Sequence, residues 1–119
     1  MCIRDSPHKI FEQGTVSVRE SDSVTDYEML CCAVTHRDAN FTEIKQILEA
    51  VLRPLGHNCS VRSFEHSSFI PGRCGEVLVA NTHVGVIGEV CPEVLNNFGL
   101  SLPVACFEIS LTSLKNLNS

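Results

Sequence analysis

Residues 85–99 read GVIGEVCPEVLNNFG and hold the most reactive-looking groups of the chain, Cys91 between Glu89 and Glu93 at the start of a short helix. A cysteine at such a strand-to-helix corner is a candidate nucleophile, because helix-end amides favour the thiolate. It needs a base within hydrogen-bond reach, and the five histidines name no particular partner. No G-x-C-x-G elbow surrounds it. Seven cysteines and five histidines also raise zinc. A structural zinc site takes four converging ligands, commonly from C-x-x-C pairs, and the chain has no such pair. Its cysteines fall mainly in expected strands, where a thiol packs as a small hydrophobe. Core packing is the expectation, and no metal.

Glu89 and Glu93 stand four apart, but Pro92 lies between them and the strand ends there. They are not expected to face each other as an acid–base pair. Gly72 and Gly75 bracket Arg73, which suits an anion or a salt bridge, and the salt bridge is the expectation. Neither a G-x-G-x-x-G nor a G-x-x-x-x-G-K-[ST] phosphate loop is present.

The elements that position these groups follow from pattern. Residues 8–18 are rich in β-formers, with Gly14 predicting a bulge or bend, and 19–26 read as a polar turn. YEMLCCAVTH (27–36) has the unbroken apolar run of a central strand covered on both faces. Asn40 with Glu43 predicts a capped helix, and Phe41, Ile44, Ile47, Leu48, Val51, Leu52 and Leu55 fall on one stripe of it. Pro54 and Gly56 end it. Strands are expected at 59–66, 75–80 and 83–90, with a turn-bearing approach at 67–74 and a corner at Asn81-Thr82. Pro92 opens a second helix that Gly99 stops, and 102–111 is a last strand before a fraying tail. The order β-β-α-β-β-β-α-β with hairpin-length links predicts an α+β fold, a mostly antiparallel sheet flanked by helices.

Composition bounds the function. At 119 residues the chain is one domain or a piece of a larger one. A formal charge of −5 without a basic cluster argues against direct contact with nucleic acid. The odd cysteine count and the adjacent pair Cys31-Cys32 suit a reducing compartment, and no apolar run reaches membrane-span length.

Four segments in order, PHKIFEQGTV (7–16), NFTEIKQILEAVLRPLG (40–56), SFIPGRCGEVLVANTHVGVIGEVCPEVLNNFGL (68–100) and PVACFEISL (103–111), resemble the C-terminal part of the phenylalanyl-tRNA synthetase β subunit of archaeal and eukaryotic-cytosolic type. The resemblance implies a class II aminoacyl-tRNA synthetase-like fold and a catalytic-like module. It implies assembly with the α subunit in a heterotetramer, where ATP and Mg belong to the α subunit and tRNA is reached only through the wider complex. It also implies a cytoplasmic protein without membrane contact. An active class II site holds phosphate with the arginine of an R-x-E element and with a second arginine ending G-x-G-x-x-R. Here Arg19 is followed directly by Glu20, and the last strand has neither glycine nor arginine. The implied module is catalytically silent, with no catalytic, cofactor-binding or metal residues.

Gly88-Glu89 and Cys91-Pro92-Glu93 resemble the family's G-E-x-H-P-E-V-L segment, with Cys91 where histidine is usual. Phe69, Pro71, Gly72, Arg73, Gly88, Glu89, Pro92 and Glu93 are then structural or interface positions, and the flank of helix 41–53 is a further contact candidate. The opening MCIRDS shares no pattern with the rest and resembles translated adapter DNA. Residues 1–6 are expected to be a non-native leader, and 7–119 a class II-like domain from a longer subunit. Two other readings remain open: an autonomous amino-acid or nucleotide-binding sensor, and a small thiol-dependent enzyme using Cys91.

Overall fold

The computed structural model describes residues 8–117, so the expected leader at residues 1–6 lies outside the described residues. Six strands form one antiparallel sheet: β1 (His8–Glu20), β2 (Ser23–Thr35), β3 (Cys59–Ser63), β4 (Phe69–Val79), β5 (Thr82–Val90) and β6 (Val104–Ser110). Their spatial order is β1-β2-β6-β5-β4-β3, so β6 joins the β1–β2 hairpin to the three-stranded β3–β4–β5 unit. Helices α1 (Phe41–Leu52), α2 (Pro92–Asn97) and α3 (Leu111–Leu117) complete an α+β fold.

Helix α1 forms as its sequence dictates. The Asn40 side chain accepts the Glu43 amide at 2.9 Å, and the apolar stripe sends Ile44, Leu48 and Leu52 fully inside. Those side chains meet Cys32, Val34, Val77, Ile87, Phe107 and Ile109 from one face of the sheet. The flank expected as a contact surface is therefore largely spent on the module's own core. Glu43 does not complete the capping box by reaching back to Asn40. His36 takes the Asp38 amide at Nδ1 (3.1 Å), which leaves Nε2 to donate to Glu43 at 2.6 Å. After Leu52 the chain tightens into a short 3-10 turn carrying Pro54 (Arg53–Leu55) and leaves the helix at Gly56.

Several local expectations are corrected. No bulge occurs at Gly14, because β1 and β2 pair without a break from His8↔Thr35 to Glu20↔Ser23. The turn expected over 19–26 shrinks to Ser21-Asp22, since Thr15 donates to Glu28 (2.8 Å) and Ser17 to Asp26 (2.6 Å) across the strands. The hairpin therefore outruns the sheet, with β6 pairing β2 only over Met29–Thr35. Strand β2 is covered on one face rather than two. Cys32 and Val34 are buried, whereas Cys31 and Ala33 point to the other, more open face. Strand β3 stops at Ser63, and β4 begins at Phe69 with an irregular stretch before Cys74. The β4–β5 corner is Ala80-Asn81, both at positive φ (52° and 65°), and Thr82 already belongs to β5.

The tail is the largest correction. Residues 111–117 are helical, with Leu114 buried and Leu111 and Leu117 packed against the core. The hydroxyl of Ser110 accepts the Ser113 amide at 3.0 Å, as an N-cap does. The three-residue leucine spacing carried that signal. Among the described residues, no helix is long and apolar enough to cross a membrane.

Candidate functional site

Two features of the sheet concentrate chemistry. The first is the corner where β5 leaves for α2. Cys91 has extended backbone (φ −70°, ψ 150°) and Pro92 opens the helix behind it, its missing N–H costing nothing at that position. The Cys91 amide donates to the Ser68 carbonyl at 2.9 Å, and its thiol points at the Ser67 carbonyl at 3.7 Å. Both bonds tie the corner to the 64–68 loop. A cleft of about 540 Å³ lies between them, lined by His66, Phe69, Pro71, Cys91, Pro92 and Glu93 among others.

The structure thus brings one histidine near Cys91 that spacing alone did not single out. His66 is already committed, with Nδ1 accepting the Ser68 amide at 3.1 Å and its ring 5.2 Å from that of Phe69. Among the described residues no hydrogen bond joins it to Cys91. The thiol–imidazole contact that nucleophile activation requires is missing.

Phe69 is buried (8% exposed), and Gly88 makes room for it. A Cβ on Gly88 would stand 2.9 Å from the Phe69 ring and 2.7 Å from the Cys74 Cβ. Arg73 follows Pro71 and Gly72 in the irregular stretch of β4 and donates to Glu89 at 3.2 Å. The other oxygen of Glu89 accepts the Phe41 amide at 2.9 Å. One carboxylate of β5, its side chain 13% exposed, therefore holds an arginine of β4 and a first-turn amide of α1. Glu89 and Glu93 do not meet: one supports α1, the other lines the cleft. We predict that Glu89→Ala lowers stability by about 1–2 kcal/mol in urea melts, since it orphans a part-buried amide. Glu89→Gln, which keeps one acceptor, loses less.

The second feature is the face of the sheet turned away from α1. Register sets Glu12 opposite Cys31, Cys31 opposite Glu108, Glu108 opposite Val86, and Val86 opposite Glu76. Because side chains alternate, these five stand in one row across five strands on a single face. Ile10, Ala33, Phe69 and Cys106 join Glu12, Cys31, Val86 and Glu108 of the row in lining a shallow cavity of about 310 Å³. Arg62 and His83 pair with Glu76, the His83 bond at 3.0 Å, and hold its carboxyl below the usual range, His83 most strongly. Glu12 and Glu108 are exposed and have no basic partner among the described residues.

Their field, added to burial, acts on the thiols. Burial first and Glu108 second raise Cys31. Burial, then Cys31 and Glu108, push Cys106 up to about 11. A thiol whose pKa rises on folding stabilises fully below its unfolded value, near 8.5, and loses that contribution as pH climbs to about 11. We expect stability to fall across that window, and iodoacetamide at pH 8 to alkylate Cys106 at least about tenfold faster in urea than in the native chain. Mass-mapped alkylation reads both rates.

Among the described residues no group of three or more His, Cys, Asp or Glu side chains could hold a metal ion. The row is acidic, and Arg62 at one end of it pairs with Glu76.

The six-stranded antiparallel sheet thus packs α1 against one face and carries a row of acidic side chains on the other. The family it comes from is shown by comparison. The phenylalanyl tRNA synthetase beta chain CLM domain matches residues 4–111, and the chain belongs to that family. It is 44% identical over 109 residues to the phenylalanine–tRNA ligase beta subunit of Thermococcus sibiricus, covering 88% of this chain and 19% of that one. Identity to the beta subunit of Methanococcus maripaludis is 42% over 111 residues (88% and 20%). For Methanocella arvoryzae it is 39% over 117 residues (94% and 21%). The chain spans about a fifth of the length of the curated relatives it matches.

Proposed function

We propose that residues 7–119 form a catalytic-like but silent module of class II synthetase type, which supports a phenylalanyl-tRNA synthetase β subunit in assembly with the catalytic α subunit. In this reading the complex charges tRNA(Phe) with phenylalanine in the cytoplasm. ATP and Mg belong to the α subunit, and tRNA is reached through the rest of the assembly.

The observation that carries the reading is a family match over most of the chain, joined to an open face whose row holds acids rather than the fixed cations that phosphate binding requires. Neither arginine clamp exists in the sequence, and the unpaired glutamates of the face oppose polyphosphate. The eight positions singled out by resemblance act within this reading as architecture. Phe69 and Gly88 interlock, Arg73 and Glu89 tie β4 to α1, and Pro71, Gly72, Pro92 and Glu93 shape the corner.

Co-expression of the tagged chain with a matching α subunit tests it. Stable co-elution, with no phenylalanine-dependent ATP–pyrophosphate exchange by the chain alone, is the expected result. Exchange by the isolated chain would overturn the silent reading, and failure to co-elute would overturn the assembly reading.

A further inference from the structure

We infer that Cys31 and Cys106 form a redox-modification site, a pair of thiols that a low-molecular-weight disulfide such as glutathione disulfide converts reversibly into a bond between β2 and β6. The inference goes beyond the reading above and needs no partner subunit, because it concerns the chemistry of the chain itself.

Register selects the pair. Cys31 stands opposite Glu108 and Cys106 opposite Ala33, so the two thiols are diagonal neighbours on adjacent strands and on one face. Both line the shallow cavity of that face, where a small reagent can enter. Cys32 does not compete, because it alternates to the other face opposite Phe107 and is fully buried there. Cys74 shares the face with Cys106, two strands away across Gly88. The Phe69 ring lies over that glycine, and the Cys74 thiol donates to the Phe64 carbonyl at 2.9 Å. Cys59 packs against the α1-side core, and Cys91 faces the separate cleft beside His66. Among the described thiols, all of them free, Cys31 is thus the one within reach of Cys106.

Spacing sets the character of the bond. Diagonal Cα atoms stand about 7–8 Å apart, with the Cβ atoms closer, and a disulfide spans Cα atoms up to about 6.8 Å. Closing it draws β2 and β6 together by roughly 1 Å, so the bond carries strain. Strained and accessible disulfides have the more oxidising potentials, which suits reversal by the thiols of a reducing compartment. The exchange runs in two steps. Cys31, the less deeply buried of the two, attacks one sulfur of glutathione disulfide as the thiolate, and one glutathione leaves. The Cys106 thiolate then attacks the Cys31 sulfur and expels the second glutathione. The protein thiols lose two electrons and two protons, and the oxidant is reduced to two glutathione thiols. Burial and Glu108 keep thiolate scarce at both residues, which slows each attack and leaves its geometry unchanged. The finished bond closes a loop from β2 to β6 and so restricts the unfolded chain.

The test incubates the full chain with glutathione disulfide at mildly alkaline pH and maps its disulfides by mass spectrometry without reduction. The expected product is a monomer lighter by two hydrogens, with fragment ions that join residue 31, not residue 32, to residue 106. Its urea midpoint should rise, and dithiothreitol should restore both mass and midpoint. Cys31→Ala and Cys106→Ala should each form no internal bond, whereas Cys74→Ala should still form it. If a variant fails to fold, the wild-type fragment map decides alone. Stable glutathione adducts without the internal bond, a pair left reduced, a link through Cys32 or Cys74, or a lowered midpoint would each overturn the inference. None of these results bears on co-elution with an α subunit, so the assembly reading stands or falls separately.

Discussion

Phe107→Ala lowers the unfolding free energy by about 3–5 kcal/mol, read as a shifted urea midpoint at unchanged slope. Phe107 is 1% exposed and lies between Cys32 of β2 and Ile87 of β5 by register. Among the described residues it is the largest fully buried side chain, and Ile44, Leu48 and Leu52 belong to the same cluster. Removing the ring takes away its transfer energy and leaves a cavity that a sheet–helix interface closes poorly. A domain of this size holds only about 5–15 kcal/mol in total, so the variant is mostly folded at best. A loss below about 1 kcal/mol would mean that the ring does not sit in a closed core.

Gly85→Ala acts through contact rather than cavity. A Cβ there would lie 2.0 Å from the Glu108 carbonyl oxygen and 2.8 Å from the Ile109 Cα. Both are backbone atoms of the neighbouring strand, so no rotamer change relieves the clash and β5 must part from β6. The expected loss is about 3 kcal/mol, at the upper end for overpacking. Gly14→Ala is the matched comparison: nothing stands within 4 Å of its Cβ and its φ is not positive. That change should be neutral or stabilise by up to about 1 kcal/mol. Two glycine-to-alanine changes on one sheet thus separate close approach from chain entropy in a single pair of melts.

What was legible in the sequence follows the range over which each signal acts. Asn40, the stripe Ile44–Leu48–Leu52 and the Pro92–Gly99 bracket are local, and they predicted α1 and α2 nearly to the residue. The apolar run at 27–36 was legible as a strand but not its one-sided burial, because Cys31 and Cys32 look alike until pairing assigns each a face. The turn at Ser21-Asp22 was masked by polar residues that bond across the hairpin instead of bending the chain. Helix α3 had a signal, Ser110 followed by Leu111, Leu114 and Leu117, which the asparagine-rich ending obscured. The site divides the same way. Arg73 and Glu89 were visible as charges at a corner, while the Phe41 amide that the second Glu89 oxygen accepts was not. The row Glu12–Cys31–Glu108 joins residues nearly a hundred positions apart and exists only once strand order is known.

Strand order has one more consequence, and it concerns time. Strand β6 lies between β2 and β5, yet it is the last strand made. Until residues 104–110 are available, β1–β2 and β3–β4–β5 share no ladder. An isolated hairpin is marginal at best, so β1–β2 does not persist alone, whereas β3–β4–β5 has a third strand and α1 to lean on. At a synthesis rate of about 5–20 residues per second, the first hairpin waits several seconds for the strand that completes it. Closing loops of that span also slows folding in the test tube, toward the millisecond-to-second range of sheet proteins with distant contacts. A chain truncated before Val104 would lose the join between its two halves rather than one edge of the sheet, because the missing strand is the seam.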